Sequence, residues 1–135
     1  MDEITNQGLI EKAAAVINIR NIKDYVVGNV GCALVSEKGK IYTGVCLDTG
    51  SGMGFCAEAS AIAAMITAGE MKIQKIVAVW QDGGDVYVLP PCGRCREFIV
   101  FFDKENLNTE VILGKDKLVK LSELLPHYNE YNKLS

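Results

Sequence analysis

Apolar residues at Leu9, Ile10, Ala13, Ala14, Val16 and Ile17 recur at three- and four-residue intervals, which predicts a helix with one apolar face over about residues 5–19. Residues 26–35 and 40–46 are runs of β-forming residues joined by Glu37-Lys38-Gly39, the pattern of a hairpin. Gly50, Gly52 and Gly54 then make residues 48–54 a loop that turns tightly or lets backbone approach a ligand. Residues 56–68 are mostly alanine, isoleucine and methionine and stop at Gly69, so they predict a buried helix lying close on a sheet. Residues 73–80 are continuously apolar, as a central strand covered on both faces would be. Trp80 closes that run as a core or interface residue. Asp82-Gly83-Gly84-Asp85 turns the chain before a short extended piece at Tyr87-Val88-Leu89. Pro90-Pro91 cannot continue a central strand and leads into a helix over about residues 92–103, with Phe98, Ile99 and Phe102 as its apolar face and Phe101 also read as core, with a reach to a subunit contact as the alternative. Residues 110–113 and 117–119 predict two more strands, and residues 121–125 a last helical turn. This order predicts an α/β fold with a mixed sheet in three layers, helices on both faces.

Length and composition narrow the function. At 135 residues, with no repeat, low-complexity tract or linker, residues 1–135 read as a single domain. The chain is 49% hydrophobic and 23% charged, which excludes a disordered segment. A net charge of −3 gives no electrostatic footprint for nucleic acid or an acidic membrane, so neither is expected as a partner. The start, Met1-Asp2-Glu3-Ile4-Thr5, is acidic and lacks an apolar run, and no stretch approaches the about 18 apolar residues of a membrane span. A cytoplasmic protein is the expectation. Five cysteines, an odd number, then read as metal ligands, catalytic groups or core rather than as a disulfide framework.

Cys92-Gly93-Arg94-Cys95 places two thiols at a helix start, where the dipole favours the thiolates needed for metal binding or redox chemistry. Cys56-Ala57-Glu58 opens the other helix. Positions two apart point to nearly opposite sides of a helix, so Cys56 and Glu58 share a site only if Cys56 lies at the cap. Cys56, Cys92 and Cys95 make three ligands, the number that leaves a zinc ion open to water, and Glu58 is then a nearby carboxylate to move protons. A fourth ligand from Cys32 or His127 would make the site structural instead. Cys32 reads as a small core residue within a strand, and His127 as a surface residue. A thiol redox pair remains a further alternative.

Taken together, CAEASAIAA and PPCGRCREF resemble the cytidine deaminase family in its three-cysteine, homotetrameric form. GCALVSEKGKIYTGV is similar to that family's first hairpin and LSELLP to its end, so the resemblance runs from about residue 30 to 126. It implies a mixed five-stranded sheet flanked by helices, and zinc-dependent hydrolysis of cytidine or deoxycytidine to the uridine product and ammonia. Cys56, Cys92 and Cys95 would hold Zn²⁺, Glu58 would shuttle the proton from water to the base and the departing amine, and the Ala57 N–H would hold the substrate carbonyl. The expected partner is a small pyrimidine nucleoside, as in pyrimidine salvage.

Two departures bear on that picture. Family members often carry an arginine after the glutamate to offset the charge of three thiolates; here Ala59 stands there, and Arg94 or Arg96 would have to serve. That pattern is similar to the blasticidin-S deaminase branch, which acts on a modified cytosine nucleoside. The family's sugar-binding Asn-x-Glu corresponds to Cys46-Leu47-Asp48, where Asp48 still accepts hydrogen bonds but Cys46 is a poor replacement for an amide. The family's base-covering aromatic corresponds roughly to Gly28, with Tyr25 close by. A zinc-containing nucleoside-binding protein without catalysis is the alternative of another class.

Overall fold

A computed structural model describes residues 3–135; Met1 and Asp2, part of the acidic start, lie outside the described residues. Helix α1 (Asn6–Ala15) begins where the Thr5 side chain accepts a hydrogen bond from the Gly8 N–H at 2.9 Å. It ends earlier than its apolar period, because the Asn18 N–H donates to the Gly28 carbonyl and draws the chain into the sheet. Strand β1 (Arg20–Ile22) follows there and pairs with the start of β2 (Tyr25–Ser36). Strand β3 (Ile41–Leu47) returns through the expected hairpin, with Gly39 at φ +81°. Then come α2 (Ala57–Thr67), β4 (Ile73–Asp82), β5 (Asp85–Leu89) and α3 (Gly93–Phe101), a 3-10 turn at Lys104–Asn108, and β6 (Glu110–Gly114), β7 (Lys117–Lys120) and α4 (Leu121–Leu124).

The strands β3, β2, β4, β6 and β7 form a continuous run of neighbours, antiparallel except for the parallel pair β4–β6. The short β1 and β5 extend β2 and β4, giving seven strands rather than the expected five. The β4–β5 hairpin stacks Trp80 on Tyr87 with ring centroids 5.3 Å apart.

Alternation along the strands divides two cores. Ala33 and Val35 of β2 face Leu9 and Ala13 of α1, while Cys32 and Leu34 face Ala61, Ile62 and Met65 of α2 and Ile99 of α3. One helix on one face and two on the other make the three layers. Ile73 and Ile76 share a face despite their odd spacing, because a register shift at the end of the β2–β4 ladder absorbs one residue. On α3, Phe98 and Phe102 pack inward, whereas Phe101 is 70% exposed. It sits two residues from buried Ile99, nearly the opposite side of the helix, which corrects its reading as core.

Two close fits seat the helices that matter below. Gly44 of β3 lies so near α2 that an added Cβ would come within 2.6 Å of the Ser60 Cβ. Buried Asn106 accepts from the Ile73 N–H at 2.8 Å and donates to the carbonyls of Met71 (2.8 Å) and Ile99 (2.9 Å), tying the end of α3 to the start of β4. No helix among the described residues is long and apolar enough to cross a membrane. Asn106→Ala leaves those three backbone groups without partners and is expected to destabilise the fold by at least about 2 kcal/mol, read as a lowered urea midpoint.

Candidate active site

Cys56 and Cys92 are the residues that cap α2 and α3. Both have extended backbone angles (φ −72° and −70°) and neither side chain caps its own helix, so both thiols are free to face each other. Their sulfurs lie 3.9 Å apart. Cys95, one turn into α3, completes a group whose three sulfurs are all within 4.8 Å of one another. Sulfurs bound at about 2.3 Å to a tetrahedral zinc sit roughly 3.8 Å apart, so the cluster fits that ion. Among the described residues this is the one such group, and it excludes the alternative ligands. Cys32 is fully buried in the core, and exposed His127 pairs with Glu130 at 2.9 Å.

Glu58 stands in the first turn of α2, only 7% exposed. Burial raises its pKa above the usual carboxylate value, partly offset by a hydrogen bond from its own backbone N–H. Its charge in turn raises the pKa of Cys32 and Cys95, already pushed up by burial. Burial also raises Cys56, with further contributions from Cys92 and Glu58. Cys92 is different. Burial opposes its ionisation, but hydrogen bonds from the Cys95 and Arg94 backbone N–H groups and from the neighbouring thiols outweigh it, and its pKa falls. Three thiols and a carboxyl this close cannot all ionise without a cation among them.

Two adjoining cavities open over the cluster. The inner, about 160 Å³, is lined by Val30, Cys46, Cys56, Glu58, Leu89 and Cys92. Ala57, also on its wall, is buried and starts α2 with an N–H that has no partner within the helix. The outer, about 380 Å³, shares Val30, Cys46 and Cys56 and continues to Asn29, Asp48, Thr49 and Arg94. Both Asp48 and Arg94 are exposed there. Seven of the eight anticipated residues line the two cavities, and buried Cys95 lies behind them, grouped with Cys56 and Cys92.

Other details differ from expectation. The Arg94 guanidinium makes no hydrogen bond to a sulfur among the described residues; it is the Arg94 backbone N–H that reaches Cys92. Arg96 is engaged elsewhere, donating to the carbonyls of Pro91 (2.8 Å) and Leu124 (3.3 Å). At Gly28 an aromatic side chain has no room, since the Asn18 carbonyl oxygen occupies the place of a Cβ, and Tyr25 rests against Gly50. Asn29 was not singled out by sequence. Its signal was a polar residue beside glycine in an otherwise apolar β run.

A three-layer α/β fold with three thiols at two helix starts, beside a buried carboxyl, defines the class of zinc enzymes that activate water. Residues 5–110 match the family model described as the cytidine and deoxycytidylate deaminase zinc-binding region, and the chain belongs to that family. Zinc is therefore the metal these thiols are positioned to hold. A probable cytidine deaminase of Dictyostelium discoideum is 39% identical over 74 residues, 54% of this chain and 49% of that protein, so the match spans about half the length of that relative. The blasticidin-S deaminase of Bacillus cereus is 31% identical over 104 residues, 73% of this chain and 74% of that protein. In structure, the cytidine deaminase of Mycobacterium leprae superposes with a TM-score of 0.75 at 27% identity, covering 90% of this chain and 98% of that one.

Purified protein is expected to carry about one zinc per chain by elemental analysis, and Cys95→Ser to carry much less. A full zinc complement in Cys95→Ser would remove that thiol from the ligand set.

Proposed function

We propose that this chain is a single-domain enzyme, residues 1–135, that hydrolyses cytidine or deoxycytidine to uridine or deoxyuridine and ammonia. The observation that carries the reading is the buried Glu58 carboxyl, on the wall of the inner cavity beside the three thiols. A zinc ion held by Cys56, Cys92 and Cys95 supplies Lewis acidity that brings the pKa of water toward neutrality. Glu58 takes a proton from the attacking water and delivers it to the pyrimidine N3; it then takes the remaining hydroxyl proton from the C4 adduct and passes it to the amine, which leaves as ammonia as the carbonyl forms. Burial of Glu58 beside the reacting end of the cavity keeps bulk water from competing for the proton it carries. The Ala57 N–H at the head of α2, which has no partner within the helix, holds the substrate carbonyl, and the helix dipole strengthens that contact. Arg94, on the outer wall, offsets the negative charge of the cluster by proximity.

A second substrate, blasticidin S or another modified cytosine nucleoside, is favoured by Ala59 after the glutamate and Cys46 in place of an amide, together with the Bacillus cereus relative. A nucleoside-binding protein without catalysis would have no use for a buried carboxyl at this position. Five free thiols suit a reducing cytoplasm and a role in pyrimidine salvage. Exposed Phe101, Val86 and Tyr87 offer apolar contacts for a homotetramer.

Loss of the cytosine ultraviolet chromophore, followed with cytidine, deoxycytidine and blasticidin S, tests the reading. Turnover of one or both natural nucleosides is expected, and faster turnover of the antibiotic would move the assignment to the second substrate. Glu58→Gln is expected to keep its zinc and lose at least about 10²-fold in kcat. Near-normal turnover in that variant would sink the proposed proton shuttle.

A further inference from the structure

Between Val27↔Leu47 and Gly31↔Val45, four steps along β2 face only two along β3. Residues 28–30 therefore bulge out of the ladder, with Gly28 at φ +82° and its carbonyl held by the Asn18 N–H at 3.0 Å. Bulges of this kind re-aim side chains, and this one puts half-buried Asn29 on the outer cavity wall next to Cys46 and Asp48.

The Cys46 thiol donates to the Asn29 Oδ1 at 3.0 Å. A thiol is a weak donor, so this contact orients the amide more than it stabilises the fold. With its oxygen engaged, the amide presents its Nδ2 hydrogens, which have no protein partner among the described residues. Asp48 supplies an acceptor on the same wall. A hydroxyl both donates and accepts, so this pairing of free donor and free acceptor suits a hydroxylated ligand. The reacting end of the substrate belongs beside Glu58 in the inner cavity, so the part that reaches Asn29 is remote from the reacting carbon.

The geometry points to Asn29 as a specificity-determining residue that donates to a ring hydroxyl of the sugar, with Cys46 as the positioning residue that aims it. This rests on the nucleoside-deaminase reading of the same site. Cys46 then acts through the amide and does not itself touch substrate.

The test compares cytidine with 2′,3′-dideoxycytidine, which lacks both ring hydroxyls, on the zinc-loaded enzyme. Asn29→Ala is expected to lower kcat/KM for cytidine about tenfold or more, mainly through KM, and to change that for the dideoxy analogue less than about twofold. Asn29→Ser, which keeps a smaller polar group, provides the same comparison should the alanine variant lose its zinc or its thermal transition. Cys46→Ser retains a donor to Oδ1 and is expected to stay within about twofold of the parent, whereas Cys46→Ala shifts in the direction of Asn29→Ala. Equal losses on both nucleosides, or no loss on cytidine, would overturn the assignment. Calorimetric binding of the same two nucleosides to zinc-loaded Glu58→Gln, with and without Asn29→Ala, measures the contact without turnover. A parent enzyme that binds them but deaminates neither overturns the deaminase reading alone, and the binding comparison then decides for Asn29. Binding of neither nucleoside overturns both.

Discussion

The three-thiol cluster exists because two helices begin at the same point in space. Cys56 and Cys92 are 36 residues apart, yet their sulfurs are 3.9 Å apart. That approach requires α2 and α3 to lie on one face of the sheet with their first turns side by side, and Gly44 lets α2 settle directly on β3. It also requires both cysteines to be caps. Inside a regular helix, Cys56 would point nearly away from Glu58; in the extended conformation of a cap, both residues line the inner cavity. The remaining features of the site, including the Ala57 N–H and the cavity between the helix starts, follow from that one arrangement.

The same crowding sets the electrostatics. Burial holds Glu58 toward its protonated form, burial and the neighbouring charges do the same to Cys56 and Cys95, and hydrogen bonds from backbone N–H groups at the head of α3 and from the adjoining thiols lower Cys92 alone. A site with one easily ionised thiol and three reluctant acids is poised for a divalent cation, which reverses the balance for all of them. Arg96, close in sequence, contributes instead to structure by bracing the start of α3 against α4. Proximity along the chain was a poor guide to which arginine faces the cavity.

Much of this was legible in local patterns. The 3- and 4-residue spacing of α1, the hairpin around Gly39 and the continuous apolar run of β4 each reflect one face or two faces buried in a single layer, so periodicity reports them directly. The two cysteine motifs were equally plain, since thiols at helix starts have few other uses. Less visible was β1, an exposed Arg-Asn-Ile segment with no apolar alternation, whose existence depends on pairing with Tyr25–Val27. Phe101 misled because aromatic residues in sequence do not all lie on the buried side of a helix.

Residue types and their spacing were enough to specify three thiols, a carboxylate, two helix starts and a layered α/β fold, because each depends on interactions within a few residues. Which groups meet across the cavity is another matter. Cys46 read as a weak substitute for an amide, and Asn29 as an unremarked residue, until a bulge in β2 brought them into contact. Arg94 and Arg96 were equal candidates until packing turned one to the cavity and the other to backbone carbonyls. Those outcomes depend on strand register and on the seating of helices. Both arise from contacts between segments distant in sequence, which no local pattern records.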